Sequence, residues 1–87
     1  MTEKSLLEFP CDFIIKIMGM AGEDFNTCVI EILQRHAPDL DQSSIGLRYS
    51  RGGKYVSLTA VIPAKNREQL DAIYRELSGN ERVLMVL

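Results

Sequence analysis

Residues 45–62, IGLRYSRGGKYVSLTAVI, decide the fold of this chain. On both sides of the central RGGK segment (51–54), apolar residues alternate with other residues, and this period of two is typical of β-strands. The two glycines can supply the positive φ angles of a tight hairpin turn. The stretch therefore predicts two antiparallel neighbouring strands, of which the second runs from Tyr55 to Ile62.

A strand and an amphipathic helix precede the hairpin. Residues 12–18, DFIIKIM, alternate between two faces and predict the first strand, which we expect to end at segment 19–22. From Phe25 to Leu33 the apolar residues recur with the spacing of one helix face. This helix is expected to stop at Pro38.

A second helix and a last strand follow the hairpin. Pro63 is expected to end the strand before it, and Asn66 with Gln69 predicts a capping box at the helix start. Gly79 is placed to close the helix, and residues 82–87, RVLMVL, predict the fourth strand. Right-handed crossovers would place both helices on one face of the sheet. We therefore predict an α+β fold, a two-layer ferredoxin-like sandwich (β-α-β-β-α-β) with an antiparallel four-stranded sheet in the order 4-1-3-2.

The whole chain, residues 1–87, is expected to be one such domain, with residues 1–8 partly flexible. A chain of 87 residues buries only about 60–65% of the surface that its unfolded form exposes, so it can build one modest core. The residues expected in that core are Phe13, Ile15, Ile17, Val29, Ile32, Leu58, Ala60, Leu70, Ile73 and Leu77.

Composition and charge restrict the classes of function. The hydrophobic fraction of 46% is that of an ordinary globular protein, which should fold without a metal. The formal charge is −2 and the basic residues are scattered, so a nucleic-acid partner is not expected. No apolar run is long enough for a signal peptide or a membrane span, which predicts a cytoplasmic protein with no membrane partner.

Residue types that carry chemistry are too few to indicate an active site. His36 is the only histidine, and its place in the last turn of the first helix is explained by the helix dipole. Cys11 and Cys28 form no C-x-x-C pair, so both are interpreted as small buried hydrophobic residues. We therefore expect no enzyme, no catalytic residue, no cofactor and no metal.

The segment between the first strand and the first helix is a candidate ligand site. Its residues, Gly19, Met20, Gly22, Glu23 and Asp24, lie where free N–H groups of a helix start could meet a ligand. The segment lacks the third glycine of a dinucleotide motif, and its two carboxylates would repel an anion. A plain turn and a contact for a small molecule that carries an amine both remain open.

Two apolar surfaces are candidate interfaces. The last strand is expected at the edge of the sheet, where an uncovered strand invites pairing with another chain. The residues are Val83, Leu84, Met85 and Val86 for this edge, and Ile14, Met18 and Val61 for the open face of the sheet. We predict a homodimer or a complex with an unknown protein partner through these surfaces. The alternative is that Leu6, Leu7 and Phe9 fold back over the edge.

Several short motifs, taken in order, resemble one family. They are LLEFP at 6–10, Phe13, Lys16, Met18-Gly19, QRHAP at 34–38, the Ser50-x-Gly-Gly-Lys-Tyr-x-Ser stretch and the closing Val-Leu-Met-Val-Leu. The chain resembles the YbeD-like family of small bacterial proteins of unknown function over residues 6–87, apart from the loop 39–44. The resemblance implies a cytoplasmic bacterial protein whose fold is similar to the ACT regulatory domain and which is linked with regulation of lipoate metabolism.

The resemblance supplies no catalytic residues. ACT domains bind amino acids near the loop onto which Gly19 and Gly22 map, although the Asp-x-Pro-Gly pattern common in that loop is missing here. Three functions remain open, in this order: a small regulatory or protein-interaction module, an ACT-like module that senses an amino acid or a lipoate-related compound and acts through a partner, and an enzyme with an unrecognised site.

Overall fold

The computed structural model describes residues 8–87, so the expected flexibility of the first residues and the placement of Leu6 and Leu7 lie outside the described part. The elements follow the predicted order. They are β1 (Cys11–Met20), α1 (Glu23–His36), β2 (Gly46–Tyr49), β3 (Tyr55–Ala64), α2 (Arg67–Ser78) and β4 (Val83–Val86), with one turn of 3-10 helix at Gln42–Ser44. The four strands form one antiparallel sheet in the order β2-β3-β1-β4, which is the predicted order 4-1-3-2 taken from the other edge.

The β2–β3 hairpin has the predicted turn. Gly52 and Gly53 have φ angles of 90° and 75°, in the region that glycine adopts without strain. The Gly53 N–H donates to the Ser50 carbonyl oxygen at 2.8 Å, and the Ser50 N–H donates to the Tyr55 carbonyl oxygen at 2.9 Å. These bonds fix the register of the pairing between β2 and β3, which starts at this turn.

The prediction that β1 ends at Gly19 is wrong, because the strand continues through Gly19 to Met20. The register of the β1–β4 pairing shifts between Met18 and Gly19. A Cβ atom on Gly19 would overlap the Phe25 ring and the Arg82 carbonyl oxygen. The glycine therefore permits a close approach of α1 and of the chain leading into β4, and it is not needed for a turn.

The prediction that Pro63 ends β3 is also wrong, because β3 continues one residue beyond it. Lys16 exchanges two backbone hydrogen bonds with Leu87, so its backbone groups point toward β4 and away from β3. Thr59 lies opposite Lys16 on β3, and its backbone groups therefore point away from β1. Val61 and Pro63 direct their backbone groups to the same side of β3 as Thr59 does. β2 lies on that side but reaches only to Gly46, opposite Thr59, so no strand lies beside Val61 and Pro63 there. The missing N–H of Pro63 therefore costs β3 no ladder bond.

One hydrophobic core lies between the sheet and the two helices. Of the ten residues predicted for the core, nine are buried and Phe13 is half-buried at the rim. Cys11 and Cys28, which were also predicted to be buried, are likewise half-buried. The Phe13 ring lies edge-on to that of Tyr74, with a centroid distance of 6.3 Å. Along β1 and β3, more exposed residues alternate with buried ones, so the helices cover one face of the sheet and leave the other open.

The Gln69 side chain joins the two helices. Asn66 Oδ1 accepts a hydrogen bond from the Gln69 N–H at 2.8 Å, as the capping box predicts. Gln69 Oε1 accepts from the Lys65 N–H at 2.7 Å, one residue before the usual partner in such a box. Gln69 Nε2 donates to the His36 carbonyl oxygen at 2.8 Å, which ties the start of α2 to the end of α1.

Candidate functional site

The segment predicted as a ligand site borders an open cleft of about 660 Å³. Its residues that line the cleft are Met20, Gly22, Glu23 and Asp24. Gly19 does not line it, because it lies buried in β1 against the Phe25 ring. Ala21 and Phe25 also line the cleft, and its other side is formed by Glu81, Arg82 and Leu84. Sequence reasoning missed these three residues, although the predicted strand order already placed the start of the last strand beside the end of the first.

Charges of both signs surround the cleft. Arg82 Nη2 lies 3.6 Å from Asp24 Oδ2, an ion pair between two exposed side chains. Glu23 and Glu81 add two further carboxylates. Arg82 offsets part of the negative field that was expected to repel anions. The cleft can therefore present a cation to a carboxylate and a carboxylate to an amine.

The first turn of α1 adds backbone donors beside the cleft. Gly22 is the N-cap residue, and within residues 8–87 no side chain caps this helix start. Gly22 has an extended backbone with φ 160° and ψ 154°, and a Cβ atom there would have no neighbour within 4 Å. The junction between β1 and α1 therefore does not require glycine at this position, and the space next to it is open.

The open face of the sheet carries the first predicted interface. Ile14 is 67% exposed and lies opposite the half-buried Val61, and Met18 lies opposite Met85. These residues share one face of three adjacent strands. We call the apolar surface on this face the open-face patch, and it consists of Ile14, Met18, Met20, Tyr55, Val61, Met85 and Leu87.

The residues predicted for the β4 edge are divided between two environments. Val83 and Val86 are half-buried and pack against the core, whereas Leu84 and Met85 are 59% and 50% exposed. Leu84 falls in the register shift of the β1–β4 pairing and lines the cleft. Phe9, one of the residues suggested to cover this edge, packs against the core. Leu84 and Met85 are thus the part of β4 that another chain could reach.

His36 lies in a polar cluster between the two helices. Its Nε2 is 2.7 Å from Glu76 Oε1, and Arg35 Nη1 donates to Glu76 Oε2 at 2.6 Å. The hydrogen bond from Arg35, and then the one with His36, hold the pKa of Glu76 below its ordinary value. The histidine is at the end of α1, as predicted, but its partner on α2 was not foreseen, because no sequence pattern relates the two positions.

The other residues that can carry chemistry are dispersed. Cys11 and Cys28 are free and half-buried, and Cys28 Sγ accepts a hydrogen bond from Asn80 Nδ2 at 3.0 Å. Within residues 8–87, no three histidine, cysteine, aspartate or glutamate side chains are grouped so that they could hold a metal ion. Neither helix in this part of the chain is long and apolar enough to cross a membrane.

Comparison with known proteins gives a consistent result. Residues 4–87 match the family described as protein of unknown function (DUF493). The UPF0250 protein NE1487 of Nitrosomonas europaea is 47% identical over 87 residues, which is 100% of both chains. UPF0250 proteins of Ectopseudomonas mendocina and Azotobacter vinelandii are each 50% identical over 82 residues, or 93% of this chain and 89% of theirs. The resemblance to the YbeD-like proteins is confirmed, and the chain belongs to this family of bacterial proteins of unknown function.

Proposed function

We propose that this protein is a non-enzymatic, cytoplasmic interaction module that associates through the open-face patch. The observation that supports this is the spread of exposed apolar side chains over β3, β1 and β4 around Lys16, with Ile14 of a central strand largely exposed. A group of exposed apolar side chains on one face, rimmed by polar residues, often marks a binding site. The absence of an enzymatic role is inferred from His36, the only histidine of the chain, which lies at the end of α1 and does not line the cleft at the start of that helix.

The open face has the size of a small interface. The strands have 10, 10, 4 and 4 residues, lie about 4.8 Å apart and rise about 3.3 Å per residue, so the face presents roughly 450 Å². A standard interface uses about 800 Å² on each partner, and weak complexes use less. The size of the open face therefore predicts a weak association.

The charges on this face favour a second copy of the chain as the partner. Asp12 and Lys16 are both exposed and lie two residues before and two residues after Ile14, on the same face of β1. A two-fold axis at Ile14, with the two β1 strands antiparallel, would place Asp12 of each copy beside Lys16 of the other. Ile14 of each copy would then meet Ile14 of the other between two pairs of opposite charges.

Sedimentation equilibrium from micromolar to millimolar protein tests this association. The wild-type chain should dimerise, and Lys16→Asp should weaken the dimer because it places two carboxylates opposite each other. The double variant Asp12→Lys with Lys16→Asp should restore it, since the pairs are only exchanged. Thr27→Glu, on an exposed position of α1, is the matched control and should change nothing.

A strict monomer at millimolar concentration would exclude the homodimer and leave a complex with another protein. If the partner is another protein, the wild-type chain should capture it from a bacterial lysate. The Ile14→Glu variant should no longer capture it, and the Thr27→Glu variant should still do so. Capture that is unchanged by Ile14→Glu would contradict the role of the open-face patch altogether.

A second candidate function is the sensing of a small zwitterion in the cleft, which is supported by the pairing of Arg82 with Asp24 beside the uncapped start of α1. The carboxylate of an amino acid would face Arg82 and the backbone donors, and its amine would face Glu23. The family resemblance adds lipoate-related compounds to the ligands worth testing.

Amide chemical shifts of residues 18–25 and thermal stability, measured with millimolar amino acids and lipoate-related compounds, test this second function. Glu23→Gln should weaken a ligand that carries an amine, and Arg82→Gln should weaken one that carries a carboxylate. Glu31→Gln, farther along α1, is the control. If none of the compounds shifts these amides or the melting temperature, the segment is only a connection between β1 and α1.

A further inference from the structure

The β2–β3 hairpin concentrates positive charge in a protein that is acidic overall. Residues 42–67 contain five of the ten basic residues of the chain and none of its twelve acidic residues. Three of the five, Arg48, Arg51 and Lys54, lie on the hairpin and are exposed. None of the three takes part in the ion pairs formed among residues 8–87. The hairpin therefore carries three cations that the described chain leaves available to an acidic partner.

The outer edge of β2 has free backbone groups. The Ser50 N–H bonds to the Tyr55 carbonyl oxygen, and hydrogen-bonded pairs alternate with non-hydrogen-bonded pairs along an antiparallel ladder. Tyr49 and Leu47 are therefore in non-hydrogen-bonded pairs with β3. Their N–H and C=O groups point outward from the sheet, where an extended peptide can bind them as an added strand.

The two faces of β2 offer different side chains to such a strand. Leu47 and Tyr49 lie opposite core residues of β3, yet they are 43% and 52% exposed. Arg48 is on the other face, beside a shallow pocket of about 170 Å³ that Tyr55 also lines. Lys54 Nζ stands 5.6 Å from the centre of the Tyr55 ring. An added strand would meet apolar groups with one set of alternate residues and cations with the other set.

We propose that the β2 edge binds an extended acidic segment of a partner protein as a fifth strand of the sheet. Its apolar residues would lie on Leu47 and Tyr49, and the alternate residues, aspartate or glutamate, would face Arg48 and the hairpin cations. A single-stranded nucleic acid would pair with the cations but would leave the outward N–H and C=O groups without partners. The β2 edge lies opposite the β4 edge, but Arg48 and Tyr55 are on the face that the proposed dimer uses, so binding is measured at a protein concentration at which the chain is monomeric.

A blocked peptide of four Val-Glu repeats, titrated into the 15N-labelled full chain, tests this proposal. The expected result is a set of amide shifts centred on residues 46–50, slower hydrogen exchange at Leu47 and Tyr49, and binding that weakens as salt is added. Four Val-Lys repeats should not bind. Four Ser-Glu repeats keep the charge without the apolar residues and should bind at least about tenfold more weakly than the Val-Glu peptide.

Variants separate the charge contribution from the backbone contribution. Arg48→Glu should weaken the Val-Glu peptide at least about tenfold, whereas Arg67→Glu, the same change at the start of α2, should alter binding less than about twofold. Leu47→Pro removes an outward N–H and no bond to β3, so it should weaken binding while the hairpin persists. Arg48→Glu decides the test even if the proline variant fails to fold.

Three results would overturn the proposal. The first is the absence of shifts at residues 46–50 with millimolar Val-Glu peptide. The second is equal binding of the Val-Lys peptide, or equal losses for Arg48→Glu and Arg67→Glu, because either would remove the charge complementarity. The third is a stronger response of the same amides to oligothymidylate, which would assign the hairpin to nucleic acid.

Discussion

The two faces of the sheet carry similar apolar residues in opposite environments. Along β1, Ile15 and Ile17 are fully buried beneath the helices, whereas Ile14, the residue directly before Ile15, is exposed on the open face. The same contrast occurs along β3, where Ala60 and Ile62 are buried and Val61 is only half-buried. An apolar residue therefore contributes to folding only where another element covers it, and an uncovered one is available for association.

The largest expected effect on stability comes from replacing an isoleucine by alanine on each of the two faces of β1. Ile17→Ala should lower the free energy of unfolding by about 2–5 kcal/mol, because it leaves a cavity in the core. Ile14→Ala should change it by less than about 0.5 kcal/mol in dilute protein, because the side chain already faces solvent. Urea denaturation of the two variants at micromolar concentration measures both.

Two outcomes would alter this comparison. A loss below about 0.5 kcal/mol for Ile17→Ala would mean that the faces of β1 are assigned the wrong way round. A loss for Ile14→Ala that grows with protein concentration would sharpen the comparison, because it would show that a second copy covers the open face.

Local patterns predicted the fold well. The hairpin depends on two adjacent glycines and on alternation within a few residues, and the start of α2 depends on Asn66 and Gln69, so the sequence contains the whole cause of each. The end of β1 was mispredicted because the reason for Gly19 is tertiary. The ring of Phe25 and the carbonyl of Arg82 make the position too close for a side chain, and no local pattern reveals that.

The second prediction contrasts two glycines that the sequence presents as equivalent. Gly19→Ala should lower the free energy of unfolding by about 1–3 kcal/mol, because the covered face has no room for its Cβ. Gly22→Ser should change it by only a few tenths of a kcal/mol, since the backbone is extended, the space is open and serine can cap α1. Thermal or urea unfolding measures both, and equal losses would show that the segment acts as a tight turn after all.

The candidate site could be predicted only in part. The segment from Met20 to Asp24 was located from the sequence because it joins a strand to a helix, and the residues facing it from β4 follow from the strand order. The 3.6 Å approach of Arg82 to Asp24 does not follow, because it depends on side-chain conformations. The basic residues were interpreted as scattered, although five of the ten lie in residues 42–67, and the significance of those on the β2–β3 hairpin depends on the edge position and outward backbone groups of β2.

The smallest expected effect concerns the polar cluster between the two helices, which consists of Arg35, His36 and Glu76. The bonds of Glu76 to Arg35 and His36 lower its folded-state pKa below the usual value of 4.5. The stabilisation from these bonds is therefore present above about pH 4.5 and is lost as the pH falls through the lower folded-state pKa. Because the cluster is partly exposed, solvent screening keeps this contribution well below that of a core residue.

Glu76→Gln should remove this pH dependence. Between about pH 5 and pH 3, the free energy of unfolding of the wild-type chain should fall more steeply than that of the variant, because the native state resists protonation at Glu76. Glu31→Gln, on the exposed side of α1, is the control, since within residues 8–87 its carboxylate forms no ion pair, and its profile should follow that of the wild type. Urea unfolding at a series of pH values measures the three curves. If the Glu76→Gln curve runs parallel to the wild-type curve, the cluster does not link the helices in solution, and Gln69 remains as the connection between the end of α1 and the start of α2.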